Sequence, residues 1–288
     1  PLDPPDDGRA TLGGVVATGL GGAQQIAYGR PRGSVIGMKV VLADGSLVKA
    51  GGRVVKNVAG YDLCKLFTGS YGTLGIITEL NFKLRPRPAS ERTIIVHGHH
   101  ADLITQAQRV LSAKLFPVAT ELLSTALARR LGVDTKDNET VLLLRFAGNY
   151  KGVEFQTREA LAGLTASECE LLDDDGPLWA LLAAAPLIET SALSWRASLL
   201  PSCLPKCIEA LSKIYGSSFL ESLWQIGVGD GRVRMIERLD DGLTTEVSQA
   251  IRELSGYFVI EDARLDLGSS TLMTRVKNQL DPDGVFVA

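Results

Sequence analysis

The chain has 288 residues, 45% of them hydrophobic and 22% charged, the balance of a folded globular protein with room for two domains and a sizeable core. A formal charge of −3 leaves no electrostatic footprint for nucleic acid or an anionic membrane, and no apolar run reaches the roughly 18–20 residues that span a bilayer. No signal-peptide pattern opens the chain, which begins at Pro1 rather than Met.

Glycine divides the sequence. Residues 1–88 hold 16 of the 30 glycines, so turns and close backbone contacts dominate there, and longer regular elements follow. Arg85-Pro86-Arg87-Pro88 reads as an extended connector, because alternating prolines exclude a helix. The expected domains are therefore 1–88 and 89–288.

In the first stretch, Thr11-Leu12-Gly13-Gly14 offers consecutive backbone N–H groups, either as a concave anion site for a diphosphate or as a loop entering a helix. Gly19-Leu20-Gly21-Gly22 lacks the third glycine of a Rossmann turn. Val35–Leu42 and Leu47–Ala50 read as a hairpin around Asp44-Gly45. Glycines at 69, 72 and 75 precede Ile76-Ile77 of a strand expected over Gly72–Leu84, and their spacing lets backbone approach either a neighbouring strand or a flat ligand. Asp62, beside Gly60-Tyr61, is expected to satisfy local backbone donors, and Lys56-Asn57 to form a solvated turn.

Past the connector, strands are expected at Arg92–Val96, Val141–Phe146, Leu193–Leu199 and Tyr257–Ile260, with a hairpin of Leu223–Val228 and Arg232–Ile236 around Gly229-Asp230-Gly231. Helices are expected at Ala101–Ser112, Val153–Leu164, Leu178–Leu187, Leu204–Tyr215 and Leu243–Ser255. The mixture predicts an α+β fold, with an antiparallel sheet carrying helices on one face.

Chemistry-bearing residues are sparse. His97, His99 and His100 crowd one strand-to-helix turn without a ligand set of regular geometry, which favours a solvated loop over a metal site. Cys203 and Cys207 lie i,i+4 on an expected helix with no second Cys or His pair nearby, and the four cysteines read as free thiols. In Leu193–Leu199, alternation sends Trp195 and Arg196 to opposite faces, one buried and one open. Arg196 there either receives a carboxylate bidentately or makes a surface salt bridge. P-loop, nucleophile-elbow and H-E-x-x-H motifs are absent.

In order, Thr-Leu-Gly-Gly at 11–14, Tyr28-Gly29, Gly60-Tyr61-Asp62-Leu63 and Gly-Ser-Tyr-Gly-Thr-Leu-Gly-Ile-Ile at 69–77 follow a known pattern. With Pro-Leu-Asp-Pro-Pro at 1–5, the run from Gly52 to Asp62, Trp195-Arg196-Ala197-Ser198 and the tail from Val276 to Phe286, the chain resembles the vanillyl-alcohol-oxidase type of FAD-linked oxidase, and within it the FAD-binding subunits of bacterial glycolate oxidase. The resemblance implies the second half of a PCMH-type FAD-binding domain, followed by an α/β cap domain with an antiparallel sheet. It further implies that an earlier glycine-rich subdomain precedes Pro1 and that the pattern continues beyond Ala288.

By the same resemblance, Thr11, Leu12, Gly13 and Gly14 bind the FAD diphosphate or ribityl region with Asp3, Pro4 and Thr18 nearby, and backbone at Gly75 and Ile76 contacts the flavin side. The implied activity is oxidation of a 2-hydroxy acid, glycolate to glyoxylate, by a non-covalent flavin. Arg196 is the candidate for the substrate carboxylate, with Arg232 in reserve. The implied partners are a paralogous FAD subunit and an iron–sulfur subunit of a cytoplasmic complex, with membrane association only through that complex. Two departures matter: Tyr71 stands where many relatives carry Glu, and Gly227-Val228-Gly229-Asp230-Gly231-Arg232 occupies the place of a family H-x-G-D-G-N segment that holds a metal or substrate. The missing histidine supports an alternative, a non-catalytic FAD-holding or assembly subunit whose partner owns the hydroxy-acid site. A third possibility is a related flavoenzyme acting on lactate or a sugar alcohol.

Overall fold

A computed structural model describes residues 2–52, 61–165, 168–187, 194–236, 241–261 and 271–286. The expected turns at Lys56-Asn57 and Gly60 lie outside these residues. The elements run α1 (Leu12–Thr18), α2 (Gln25–Tyr28), α3 (Pro31–Ser34), β1 (Val35–Val41), β2 (Leu47–Gly51), α4 (Leu63–Phe67), β3 (Ile76–Phe82), β4 (Ser90–Gly98), α5 (His100–Ser112), β5 (Ala119–Leu123), α6 (Thr125–Arg130) and β6 (Thr140–Gly148). They continue with α7 (Tyr150–Gly163), β7 (Cys169–Leu172), α8 (Gly176–Ala184), β8 (Ser194–Ser198), α9 (Leu204–Tyr215), β9 (Trp224–Gly227), β10 (Arg232–Ile236), α10 (Asp241–Glu253), β11 (Tyr257–Glu261) and α11 (Thr271–Leu280).

Two compact units share the chain. The first comprises Pro1–Gly22, Tyr28–Pro86 and Ala263–Ala288, and the second Ala23–Ala27 and Arg87–Asp262. The chain thus changes unit inside the Arg85–Pro88 connector, but the tail, expected with the second domain, returns to the first unit. The reason is apolar burial, since Val276 and Leu280 of α11 pack on a core of Val16, Met38, Val40, Phe67 and Leu74.

In the first unit β1 pairs antiparallel with β2 on one side and β3 on the other. Asp-Gly does make the tight turn, with Gly45 at φ 79° and the Ser46 amide donating to Asp44 Oδ1 at 2.9 Å. Asp62 makes no capping bond to the α4 backbone; it pairs instead with Lys65 at 3.3 Å, one turn along the helix. The tail is fastened by one carboxylate. Asp281 is buried, accepts from the Val285 and Phe286 amides at 2.7 and 3.0 Å, and meets the Lys277 ammonium, which also donates to the Phe286 carbonyl at 2.6 Å.

The second unit is built on eight antiparallel strands in the order β11-β8-β10-β9-β5-β6-β4-β7. Helices cover both faces rather than one. Alternate strand residues Ile94, Leu122, Leu142, Leu144, Trp195, Ile226 and Met235 bury against α5, α7, α9 and α10. Their neighbours Ile95, Leu123, Val141 and Leu143 bury against α6 and α8. The second cover has a composition cause, because α8 (Gly-Pro-Leu-Trp-Ala-Leu-Leu-Ala-Ala) is apolar on every side and needs a dry surface.

Within that second cover sits a closed polar knot. Arg145 forks onto Asp175, Nε to Oδ2 at 3.0 Å and Nη2 to Oδ1 at 2.8 Å, and its guanidinium lies over the Trp179 ring at 5.2 Å. Thr93 donates to Asp175 and accepts from Trp179 Nε1, both at 2.8 Å. Asp175 and Arg145 are both buried, and without Asp175 the guanidinium loses both fork bonds and keeps the half-exposed Glu91, 3.2 Å from its Nη2. Asp175→Ala is expected to cost about 3–5 kcal/mol in urea unfolding.

Asp281 sets a pH signature. Its hydrogen bond to Lys277 holds the carboxyl below the usual carboxylate range. A group depressed on folding contributes stability above its unfolded pKa, about 3.9, and loses it as pH falls through the folded value. The melting-temperature gap between the parent and Asp281→Asn is therefore expected to hold above about pH 4 and to close progressively below it.

Candidate functional site

In the first unit α1 carries Leu12, Gly13, Gly14 and Thr18 and packs against β3, which begins at Ile76. Thr11 N-caps α1, with Oγ1 accepting from the Gly14 amide at 3.1 Å. The hydroxyl and the third amide are therefore committed, while Leu12 and Gly13 carry the leading N–H groups that no helix satisfies internally. A Cβ added at Gly13 would meet nothing within 4 Å, whereas one at Gly14 would stand 3.2 Å from Thr11 Oγ1. Leu12 and Ile76 are exposed, 58% and 57%. Thr18 turns its hydroxyl back onto the carbonyls of Gly14 and Val15, at 3.0 and 3.2 Å. Asp3, followed by Pro4, lies against Gly22, where a Cβ would stand 2.2 Å from the Asp3 carbonyl oxygen.

The glycine loop before β3 clamps the other end of α1. The Gly69 amide donates to Val16 O at 3.0 Å and the Tyr71 amide to Ala17 O at 2.8 Å, and Gly19, at φ 64°, closes the helix against Gly69. Gly75 answers the question left open between strand and ligand. A Cβ there would stand 2.5 Å from Val40 Cγ1 and 2.9 Å from Val41 O, both on β1. The missing side chain serves the neighbouring strand, and any contact to a ligand at this position is left to backbone. Gly75→Ala is expected to cost about 1–3 kcal/mol, and Val40→Ala in that background to recover only part of it in thermal denaturation, because Val41 O stays in place.

Arg196 and Arg232 lie in the second unit. β8, β9 and β10 pair in a register that opposes Arg234 to Arg196 on one side and to Gln225 on the other, and Arg232 to Ser198 and Gly227. Period-2 alternation puts Arg196, Arg232 and Arg234 on one face and Trp195, Val233 and Met235 on the other; Trp195 is fully buried and Arg196 partly exposed, but the Arg196 face is not the open one expected, since Arg232 and Arg234 on it are buried. Arg232 is buried, and its Nη2 donates to Glu121 Oε1 at 2.6 Å, with Asp230 Oδ2 at 3.4 Å. Glu121 stands one strand beyond Gly227 in the same cross-strand row. Arg232 reaches it because residue 227 has no side chain; a Cβ there would stand 2.8 Å from Arg232 Nη2 and 2.1 Å from Asp230 Oδ1.

Glycines shape the whole turn. Gly231 has φ 70° with Leu199 O 1.9 Å from where a Cβ would sit, and the Gly229 amide donates to Thr120 Oγ1 at 2.9 Å. Sequence reasoning missed Glu121 because β5 was not predicted. It also passed over Arg234, although Arg-Val-Arg-Met over 232–235 carries the alternation that exposes it.

His99 N-caps α5, accepting from the Ala101 amide at 3.4 Å, and stacks on His100 with ring centroids 3.9 Å apart. Burial, aided by His99, pushes the His100 pKa down to about 4, so its ring is neutral at neutral pH. Among the described residues no group of three His, Cys, Asp or Glu side chains is placed to hold a metal ion. Cys207 is buried on α9 and its thiol is pushed up to about 12 by burial, and all four cysteines are free.

Residues 1–51 match the family described as FAD binding domain. The glycolate oxidase subunit GlcD of Bacillus subtilis (strain 168) is 38% identical over 161 residues, 54% of this chain and 34% of that protein. A D-lactate dehydrogenase of Anaerostipes hadrus is 34% identical over 213 residues, 69% of this chain and 43% of its own length, and the glycolate oxidase subunit GlcE of Escherichia coli (strain K12) is 44% identical over 95 residues, 33% and 27% respectively. The chain thus spans less than half the length of these curated relatives. A solved alkyldihydroxyacetonephosphate synthase superposes with a TM-score of 0.68 over 99% of this chain and 58% of its own, at 16% identity, and shares the fold.

The family match gives residues 1–51 as similar to an FAD binding domain. Among the curated relatives the sequence similarity runs to glycolate oxidase subunits and to dehydrogenases of D-2-hydroxy acids. Among the described residues no helix is long and apolar enough to cross a membrane.

Proposed function

We propose that the chain is the FAD-binding subunit of an oxidoreductase acting on a 2-hydroxy acid, of which glycolate is the leading candidate. The observation that carries this reading is the FAD-binding match over residues 1–51, within which Leu12 is exposed and Gly13 is free of the crowding found at Gly14. These residues fit a dinucleotide: unclaimed leading amides suit phosphate or ribityl oxygens, and exposed Leu12 and Ile76 suit an apolar ring. Thr11, Leu12, Gly13, Gly14 and Ile76 would hold FAD, with Asp3, Pro4 and Thr18 at the margin and Gly75 contributing backbone alone. When bound, FAD supplies the two-electron acceptor for oxidation at the alcohol carbon.

In the second unit Arg196 takes the carboxylate, because its guanidinium is the partly exposed one of the three on its sheet face, whereas Arg232 is buried and committed to Glu121. A planar fork on a carboxylate fixes the orientation of the carbon next to it, which is what a hydride donor requires. The partners on this reading are a paralogous FAD subunit and an iron–sulfur subunit of a cytoplasmic complex.

A second reading, an FAD-holding assembly subunit with the hydroxy-acid chemistry on a partner, draws on the same turn. The space a side chain at 227 would need is filled by Asp230 and Arg232, leaving no room for a ligating residue there. One experiment separates the two. FAD-loaded protein mixed anaerobically with glycolate, D-lactate or D-2-hydroxyglutarate is expected to lose its yellow absorbance, and Arg196→Gln to raise the half-saturating acid concentration by about 10- to 100-fold, the loss of a charge-assisted pair. Yellow protein that no 2-hydroxy acid bleaches supports the assembly role.

A further inference from the structure

One short strap of the chain packs away from its sequence neighbours. Ala23–Ala27 lies inside the FAD-binding match over residues 1–51, yet it belongs to the second unit, while Gly22 before it and Tyr28 after it belong to the first. Ala23 packs on the core that contains Leu123, Leu127, Val141 and Leu143. Ile26 makes a more specific fit. Its Cδ1 occupies the place that a Cβ of Gly229 would take, with Cγ1 3.4 Å from that point. The isoleucine tip is a knob in a hole that glycine leaves open in the β9–β10 turn. Bonds to β5 and across the turn hold that hole in shape: the Val228 amide donates to Thr120 O, the Gly229 amide to Thr120 Oγ1 and the Gly231 amide to Gly227 O, each at 2.9 Å. The same turn carries Asp230, whose Oδ1 accepts from the Arg232 amide at 3.2 Å, so its placement sets where β10 begins.

We infer that Ile26 is a positioning residue of the β9–β10 turn, and that the strap carries FAD occupancy of residues 1–51 to that turn. The inference rests on the reading above only in giving those residues an FAD. At its root the strap is tied to the residues proposed to hold the cofactor: Gly19 closes α1, and Gly22 lies against the carbonyl and carboxyl of Asp3. A segment anchored there and keyed by Ile26 into the turn loses freedom when a cofactor orders its root, and the turn loses freedom with it. Coupling of this kind travels along the chain and needs no second shape of either unit.

Hydrogen–deuterium exchange of the full chain, with and without FAD, reads both ends of the strap. Loading FAD is expected to slow exchange over Leu12–Thr18 and, by about 10-fold or more, at the amides of Val228–Gly231. Ile26→Ala is expected to keep the first effect and lose the second, and Ile26→Met, whose unbranched chain reaches the same hole, to restore it. Should Ile26→Ala fail to fold, Ile26→Val removes Cδ1 alone and is expected to reduce the slowing at the turn. The fit is also read from the other side. Gly229→Ala is expected to lower the melting temperature by about 2–10 °C. Ile26→Ala in that background is expected to recover part of the loss, because Thr120 Oγ1, 2.9 Å from the new Cβ, is then the main crowding atom.

Parent-like slowing at Val228–Gly231 in a folded Ile26→Ala or Ile26→Val variant overturns the inference, and so does a double variant that melts no higher than Gly229→Ala. The cofactor reading fails separately. A parent slowed by FAD over Leu12–Thr18 but not at the turn keeps that reading and loses the coupling, whereas a parent slowed at neither place loses both.

Discussion

Strand β10 is held between β8 and β9 in a register that sends Val233 and Met235 into the core and Arg232 and Arg234 to the opposite face. A slip of one residue would drive both guanidiniums into the space shared by Trp195, Trp224 and Ile226, and would turn two apolar side chains toward the polar face. Burying unmatched charge in a packed interior costs far more than a ladder of backbone bonds returns. That register therefore decides which arginines share a surface, and Gly227 decides what one of them does there. With no Cβ in its row, Arg232 crosses β9 and closes on Glu121, which leaves Arg196 and Arg234 as the facing pair.

Among the described residues glycine acts through distinct causes. At Gly75 the absent side chain makes room for Val40 and Val41 of the adjacent strand. At Gly231 a left-handed backbone angle and the Leu199 carbonyl both exclude a larger residue. Gly13 has open space and a leading amide of α1, inside the FAD-binding match.

The two units differ in build. The first carries the FAD-binding match over residues 1–51 and is completed by the C-terminal tail, which Asp281 and Lys277 fasten. The second presents arginines on a sheet face that also carries the buried Arg145–Asp175 pair, with the Arg145 guanidinium over Trp179.

Local chemistry in the sequence was enough for the elements with strong periodicity or turn signals. The Asp44-Gly45 hairpin, the α9 helix and the β9–β10 hairpin all stand where spacing places them, because their hydrogen-bonding partners lie within a few residues. The FAD-binding pattern was legible for a related reason, since a backbone cradle needs glycines at fixed intervals and those survive as letters. β5, β7 and α11 were not legible: the first two are short segments stabilised by strands distant in the chain, and α11 by a core built from the opposite end. The same holds for the arginine face. Sequence alone put Arg196 opposite Trp195 on its own strand, but the pairing of Arg196 with Arg234 and of Arg232 with Glu121 depends on strand order, and strand order is set by long-range packing that no local pattern encodes.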